Sequence, residues 1–165
     1  MSFRSFLAGR TVVLDNKQQI SLVVLRVAIG WHFLYEGITK VLNPNWSSVV
    51  YLLDSEGLFS GVFEAIASNP VSLQLADFMN VWGLTLIGLG LVLGFFTQIA
   101  TIAGIVILLF YYLSHPPLIG ATYAIPSEGN YLWVNKTLIE MLTLWVLYYF
   151  PTGKIIGLDR FVINH

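Results

Sequence analysis

Ionisable side chains recur at helical spacing within two apolar segments of this 165-residue chain. His32, Glu36 and Lys40 follow one another at intervals of four residues, and Lys136 and Glu140 repeat that interval later in the chain. Residues four apart lie on the same side of a helix, so each set forms one polar stripe. A carboxylate beside an imidazole or an ammonium group can accept, hold and release a proton. The spacing therefore indicates acid–base chemistry or a set of ion pairs.

The rest of the chain is too apolar for a soluble domain. Hydrophobic residues make up 56% of the sequence and charged residues 10%, whereas soluble domains carry about 25% charged residues. Such a chain cannot cover its own surface in water, which predicts contact with a lipid bilayer. The formal net charge of -1 argues against a nucleic-acid partner, because phosphate neutralisation needs clustered Lys and Arg. The absence of cysteine excludes disulfides, thiolate zinc sites and iron–sulfur ligation, and no metal site is predicted.

Long apolar runs predict an all-α fold, an integral membrane four-helix bundle in up-down order. Residues 78–114 carry no charge and would form a helix of roughly 55 Å, although the apolar bilayer core is only about 30 Å thick. This segment must therefore turn back on itself, near Gly94 to Gln98. The predicted spans are 20–42, 78–95, 98–115 and 131–150, separated by an outer loop 43–77 with short amphipathic helices and flanked by tails 1–19 and 152–165.

Loop charge predicts the orientation of these spans. The N-terminal tail is net basic and the first loop is acidic, so both tails are expected to be cytoplasmic in a bacterial or archaeal inner membrane. In this topology one end of each span meets in the outer half of the bundle, and Arg26 lies deeper towards the cytoplasm. The polar residues expected to converge in that outer half are Glu36, Lys40, Asn80, His115, Asn135, Lys136 and Glu140.

Each of these polar residues also has a purely structural explanation. Lys40 and Lys136 lie near helix ends and can extend to the membrane interface. The pairs formed by Glu36 with Lys40 and by Lys136 with Glu140 can be intrahelical ion pairs. An ionisable group in a membrane helix costs at least a few kcal/mol, however, and convergence from four helices favours a function for the group as a whole.

Two histidines on different spans raise the question of a b-type haem, because imidazole is a common axial ligand. His32 is expected near the middle of the membrane and His115 near its outer surface, and this difference in height disfavours paired ligation. A single histidine that donates a hydrogen bond to a quinone carbonyl fits the spacing better.

Three short motifs resemble those of a known membrane family. The first is Leu25-Arg26-Val27-Ala28-Ile29-Gly30 followed by Phe33, Gly37 and Lys40; the second is Gly88-Leu89-Gly90 before Thr97; the third is Gly153-Lys154-Ile155-Ile156-Gly157-Leu158-Asp159-Arg160. In these features the chain resembles the DoxX/DoxD family of small four-helix membrane proteins. It departs from the family pattern at Asn80, where an acid is frequent, and at Gln98, where Arg is frequent. The resemblance implies the four-helix fold and a link to quinone-coupled redox complexes, but no residue identifies thiosulfate as a substrate.

Three functions are compatible with these features. The leading hypothesis is a membrane subunit of an oxidoreductase that binds quinone and passes electrons from a partner protein to the quinone pool. Glu140 and Glu36 are its candidate proton relay, and the candidate cofactor-binding residues are Arg26, His32, Lys40, His115, Asn135 and Lys136. The second hypothesis is a non-catalytic anchor whose acidic outer loop holds a partner protein. The third is a small transporter, for which four spans leave little room unless the chain forms a homo-oligomer.

Overall fold

A computed structural model describes residues 14–118, 123–124 and 132–162, and the regular secondary structure in these ranges is helical. The helices are α1 (Asn16–Val41), α2 (Val49–Leu53), α3 (Ser60–Ser68), α4 (Pro70–Leu93), α5 (Thr97–Ser114), α6 (Lys136–Tyr149) and α7 (Asp159–Val162), with a 3-10 turn at Thr152–Lys154 between the last two. In this part of the chain, α1, α4 and α5 are long and apolar enough to cross a membrane. The chain is therefore a helical, multi-pass membrane protein, as the composition predicts.

Local capping residues set where the helices begin. Asp15 and Gln18 form a reciprocal capping box at the start of α1, which satisfies backbone N–H groups that have no partner within the helix. At α4 the Asn69 side chain accepts hydrogen bonds from the N–H groups of the first turn, and Pro70 is the first helical residue. Proline suits this position because its missing N–H would have no partner there. Helix α4 thus begins at Pro70, although hydropathy alone predicts a span from residue 78.

Helix α6 is shorter than its predicted span. It comprises 14 residues, about 21 Å at 1.5 Å per residue, and it begins at Lys136, whereas the predicted span starts at 131. The side chain of Asn135 caps it by accepting a hydrogen bond of 2.9 Å from the Leu138 N–H. Asn135 thereby serves the helix terminus, a structural role that its position just before an apolar run allows.

Helix α4 packs closely along α1. A Cβ atom added at Gly88 of α4 would collide with the backbone of Leu34 on α1, and one added at Gly30 would lie 2.7 Å from the Leu91 Cβ. Helix α6 packs on α5. The shared core consists of Ile29, Phe33, Leu84, Ile87, Leu91, Ala100, Leu108, Leu144 and Leu147.

The outward faces of the long helices are apolar as well. Val24, Leu86, Ile99 and Phe110 are each more than half exposed. Burial of such surface against lipid tails replaces the packing that a soluble protein would need. These faces indicate contact with the bilayer.

The Gly88→Ala variant is expected to destabilise the bundle, because the new methyl group can be accommodated only if a backbone moves. Overpacking of this kind costs typically about 1–3 kcal/mol. Gly61→Ala is the control, since no heavy atom outside its own helix lies within 4 Å of the position of the added Cβ. The measurement is the midpoint of unfolding by dodecyl sulfate in mixed micelles. Equal midpoints for the two variants would contradict the close α1–α4 approach.

Candidate functional site

A polar cavity of about 490 Å³ lies between the helices at the end of the bundle where α1 ends and α6 begins. Apolar side chains of Phe33, Leu84 and Leu108 form part of its wall. The polar residues that line it are His32, Glu36, Lys40, Ser47, Ser48, Tyr51, Asn80, Tyr111, Lys136, Thr137 and Glu140. Its size falls within the range of about 300–1,000 Å³ found for small-molecule sites.

His32 on α1 and Glu140 on α6 meet across the cavity. The His32 Nδ1 atom lies 3.1 Å from the Glu140 Oε1 atom, but the orientation of the ring does not give this contact hydrogen-bond geometry, and the nitrogen is buried without a hydrogen-bond partner. The pair becomes an ion pair when the imidazole carries a proton. The sequence pairs Glu140 with Lys136 on the same helix, whereas the structure directs its carboxylate to His32.

Glu36 and Lys40 form the intrahelical ion pair that their spacing predicts. The Lys40 Nζ donates to the Glu36 Oε2 at 2.7 Å and to the Glu36 carbonyl oxygen at 3.2 Å. The same ammonium lies 5.4 Å from the centre of the Trp46 ring, a distance typical of a cation–π contact. The pair therefore holds its charges at the mouth of the cavity, close to the end of α1.

Tyr111 and Asn80 extend the polar lining to α5 and α4. The Tyr111 hydroxyl donates a hydrogen bond of 2.7 Å to the Asn80 Oδ1 atom. An asparagine amide that accepts through its oxygen keeps two N–H donors. The Asn80 NH2 group is thus a neutral donor in the wall of the cavity.

His115 does not line this cavity but lies behind the Tyr51 ring. The two rings are stacked with centroids 4.0 Å apart, and Tyr123 contacts the imidazole from another direction. The His115 Nε2 atom is 3.5 Å from the Asp54 Oδ2 atom. Burial lowers the pKa of His115, and the nearby carboxylates of Asp54 and Glu56 oppose that shift.

Arg26 lies in a second polar cluster, where the C-terminal segment packs on α1. Its side chain is almost fully buried. The guanidinium donates to the Thr152 Oγ1 at 3.1 Å and to the Ile156 carbonyl oxygen at 2.8 Å. Its Nε atom is buried and has no hydrogen-bond partner among the described residues. Arg26 does not line the cavity, and its two hydrogen bonds tie it to the C-terminal segment instead.

Asp159 joins this cluster to the turn between α4 and α5. Its carboxylate accepts hydrogen bonds from the backbone N–H of Phe96 at 2.6 Å and of Thr97 at 3.1 Å, and from the Thr97 hydroxyl. Its charge also acts on Arg26. Gly94 ends α4 in the left-handed conformation, and its carbonyl oxygen accepts from the Asp159 N–H at 2.8 Å. The residues predicted as a C-terminal tail thus bind the α4–α5 turn.

Comparison with models of known protein families identifies the family of this chain. The DoxX family model matches residues 21–116, more than half of the chain. The chain belongs to the DoxX family. No curated protein and no solved structure shows significant similarity to it. The matched DoxX region contains His32, Glu36, Lys40 and Asn80, whereas α6 with Glu140 lies beyond it.

Sequence reasoning overlooked three side chains of the DoxX chain that the structure places at or beside the cavity. Tyr51 and Tyr111 line it, and Asp54 pairs with His115 behind Tyr51. Tyr51 and Asp54 belong to the connection between α1 and α4, where no periodic pattern predicts the direction of a side chain. Tyr111 has a polar hydroxyl in an otherwise apolar helix, and this was the sequence signal that could have drawn attention to it.

The lining of the cavity balances its charges. With His32 neutral, the carboxylates of Glu36 and Glu140 offset the ammonium groups of Lys40 and Lys136. Such a lining gives no net attraction to an ion, and it offers several hydrogen-bond donors beside an apolar wall. This combination suits an uncharged ligand with polar oxygen atoms and a flat apolar body.

Proposed function

We propose that this DoxX-family chain is a membrane subunit of an oxidoreductase that binds a quinone in the cavity and passes electrons from a partner protein to the quinone pool. The observation that carries the proposal is the convergence of ionisable residues from α1 and α6 with Asn80 of α4 around one cavity within a bundle of membrane helices. Ionisable groups at such depth are costly and therefore point to a function.

The lining residues fit the chemistry of a quinone. A bound quinone supplies an acceptor for two electrons and two protons. Lys40, Lys136 and Asn80 are donors for its carbonyl oxygens, and the apolar wall accommodates its ring. The His32–Glu140 pair holds a proton beside the site and can release it when the ligand becomes more basic. Arg26 and Asn135 are left out of this site, because their side chains serve the C-terminal cluster and the start of α6.

The electrons must come from a partner protein under this proposal. The chain has no cysteine, so it cannot ligate an iron–sulfur cluster through thiolates. The partner would carry a flavin, haem or metal centre and dock on the side of the membrane where the cavity lies. The proposal also takes α6 with its flanking residues as the fourth crossing of an inner-membrane bundle. In that topology both chain ends lie on the cytoplasmic side, opposite to the side of the cavity.

The anchor hypothesis has less support from the outer loop than the sequence suggests. The Asp77 carboxylate accepts hydrogen bonds from the Ser48 backbone N–H at 2.7 Å and from the Ser48 hydroxyl. Asp54 faces His115 and the Ala124 N–H. These two acids hold the loop in place, so less negative charge is left to bind a partner.

Quinone binding tests the proposal most directly. The protein purified in mild detergent should contain close to one extractable quinone per chain, above the amount in an equal mass of carried-over lipid. After removal of this quinone, decylubiquinone should bind, and Lys136→Ala should weaken that binding roughly tenfold, since a hydrogen bond from a charged donor contributes about 1.5–3 kcal/mol.

Lys154→Ala is the matched control, because Lys154 is an exposed lysine outside the cavity. It should retain the affinity of the wild type. Quinone at the level of bulk lipid, together with no saturable binding of decylubiquinone, would refute the proposal.

A further inference from the structure

Behind the Tyr51 ring, a chain of polar side chains runs from the outer loop to the cavity. It starts at Asp54, whose Oδ2 atom lies 3.5 Å from the Nε2 atom of His115. On the other side of the imidazole, the His115 Nδ1 atom is 3.0 Å from the Ser114 hydroxyl. The Tyr51 ring stacks on the imidazole with centroids 4.0 Å apart, so its phenol belongs to the same cluster as Ser114. The Tyr51 hydroxyl donates a hydrogen bond of 3.4 Å to the Tyr111 carbonyl oxygen, and Tyr51 lines the cavity. Each member can accept one proton and release another.

We infer that Asp54, His115, Ser114 and Tyr51 form a proton relay that carries protons from the membrane surface into the polar cavity. The inference deepens the proposed function and rests on it for its purpose, because quinone reduction consumes protons at the cavity. It assigns roles to four residues that the quinone site itself does not use as donors.

The position of each group supports this direction of transfer. Asp54 is in the loop between α1 and α4, and its side chain is 17% exposed, so protons from water can reach it. His115 is 14% exposed, whereas Ser114 is 1% exposed, so the relay is shielded from water at Ser114. Among the described residues the buried Nε2 atom of His115 makes no hydrogen bond, and it lies 3.5 Å from the Asp54 carboxylate, from which it can receive a proton.

The proton count balances along the chain. His115 gains a proton at Nε2 from Asp54 and loses the Nδ1 proton to the Ser114 oxygen. Ser114 passes its own hydroxyl proton to the Tyr51 oxygen. Tyr51 turns its hydroxyl away from the Tyr111 carbonyl oxygen, to which it donates at 3.4 Å, and releases its phenolic proton into the cavity. One proton enters and one leaves, and no member changes its charge once the imidazole and the hydroxyl groups have reoriented. No oxidant or reductant takes part.

The charged and titratable groups around the imidazole suit a relay. Asp54 and Glu56 in the loop favour the protonated ring, and burial opposes it. The phenols of Tyr51 and Tyr123 lie on the ring, and burial raises the pKa of both, so they stay protonated at neutral pH. The imidazole is thus the group that changes charge while a proton passes.

The test follows protonation of the cavity carboxylates in protein without quinone. The protein in lipid nanodiscs receives a rapid pH drop from a photolysed caged proton, and time-resolved infrared spectroscopy follows the carboxyl bands, which Glu36→Gln and Glu140→Gln variants assign. Tyr51→Phe keeps the stacked ring but removes the hydroxyl. It should slow protonation of Glu140, whose side chain is 16% exposed, roughly 100-fold, the low end of what a positioned proton donor contributes. Ser114→Ala should have a similar effect.

Tyr123→Phe is the matched control. It removes a hydroxyl that donates to the Pro116 carbonyl oxygen and is not part of the relay, although its ring also lies against His115. In this variant the cavity carboxylates should become protonated at the wild-type rate. Equal rates for Tyr51→Phe and Tyr123→Phe, or cavity carboxylates that do not respond in the wild type, would overturn the relay. Because the measurement needs neither quinone nor an electron donor, its failure is distinct from a failure to bind quinone.

Discussion

Replacement of Glu140 by glutamine is expected to lower quinone turnover by the complete membrane complex roughly 100-fold, with little change in the affinity for quinone. Glutamine keeps the shape of the side chain and one oxygen acceptor, so the cavity should retain its form. It removes the ability to bind and release a proton. A loss confined to kcat is the signature of a group that acts in the reaction and contributes little to ligand binding.

The geometry identifies Glu140 as the carboxylate whose loss matters most. Glu36 is held by the Lys40 ammonium at 2.7 Å, and this ion pair disfavours proton uptake. Glu140 faces the His32 imidazole at 3.1 Å instead, and an imidazole nitrogen can accept or donate a proton. The His32–Glu140 pair can therefore hold one proton in two places, which suits it to supply the ligand.

The measurement uses the complex purified with its native partner through a tag on this chain, with reduction of decylubiquinone followed optically. Glu64→Gln is the matched control, because Glu64 is an exposed acid on α3, away from the cavity. It should keep the wild-type kcat and KM. If Glu140→Gln also kept both constants, Glu140 would have no role in proton transfer.

Local patterns in the sequence predict the long helices well. Helix α5 (Thr97–Ser114) differs by a single residue at each end from the predicted span 98–115, because the turn after Gly94 and the tandem prolines at 116–117 mark its limits. Helix α1 (Asn16–Val41) agrees almost as closely with 20–42. Helix ends of this kind are determined by residues next to them in the sequence, so they can be predicted without knowledge of the packing.

Contacts between helices could not be read in the same way. The spacing of Lys136 and Glu140 suggests a pair on one helix, whereas the carboxylate meets His32 of α1. That choice depends on how each helix is rotated, and the rotation is set by packing such as that of Gly88 against Leu34. Periodicity gives the polar face of a helix but not the partner opposite it.

The C-terminal segment shows the same limit more strongly. The sequence predicts a cytoplasmic tail at 152–165 but no contacts for it, and in the structure Thr152 and Asp159 are each 2% exposed. The partners of Asp159 are backbone N–H groups at 96 and 97, which are distant in the sequence. The Gly…Leu-Asp motif of the resemblance was the one sequence feature that singled out this aspartate.

Asp159→Ala is accordingly expected to destabilise the folded protein by about 1–3 kcal/mol, the cost of leaving buried hydrogen-bond donors without their acceptor. The change leaves Arg26 without the carboxylate charge that acts on it. It also removes the acceptor for the N–H groups of Phe96 and Thr97 at the start of α5, and loss of such a cap alone costs about 1 kcal/mol.

Unfolding by dodecyl sulfate in mixed micelles measures this loss. Arg160→Ala is the matched control, because the neighbouring Arg160 is exposed and its loss should change stability by no more than about 0.5 kcal/mol.

A double-mutant cycle isolates the charge interaction from the loss of the cap. Asp159→Asn keeps an oxygen acceptor but removes the charge, so it should cost less than Asp159→Ala. In the Arg26→Met background the guanidinium is absent. Asp159→Asn should then lower the free energy of unfolding by less than it does in the wild type, since no buried positive charge is left without a counter-charge. If the cost of Asp159→Asn were the same in both backgrounds, the carboxylate would act as a helix cap alone, and Arg26 would be held by Thr152 and the Ile156 carbonyl without its help.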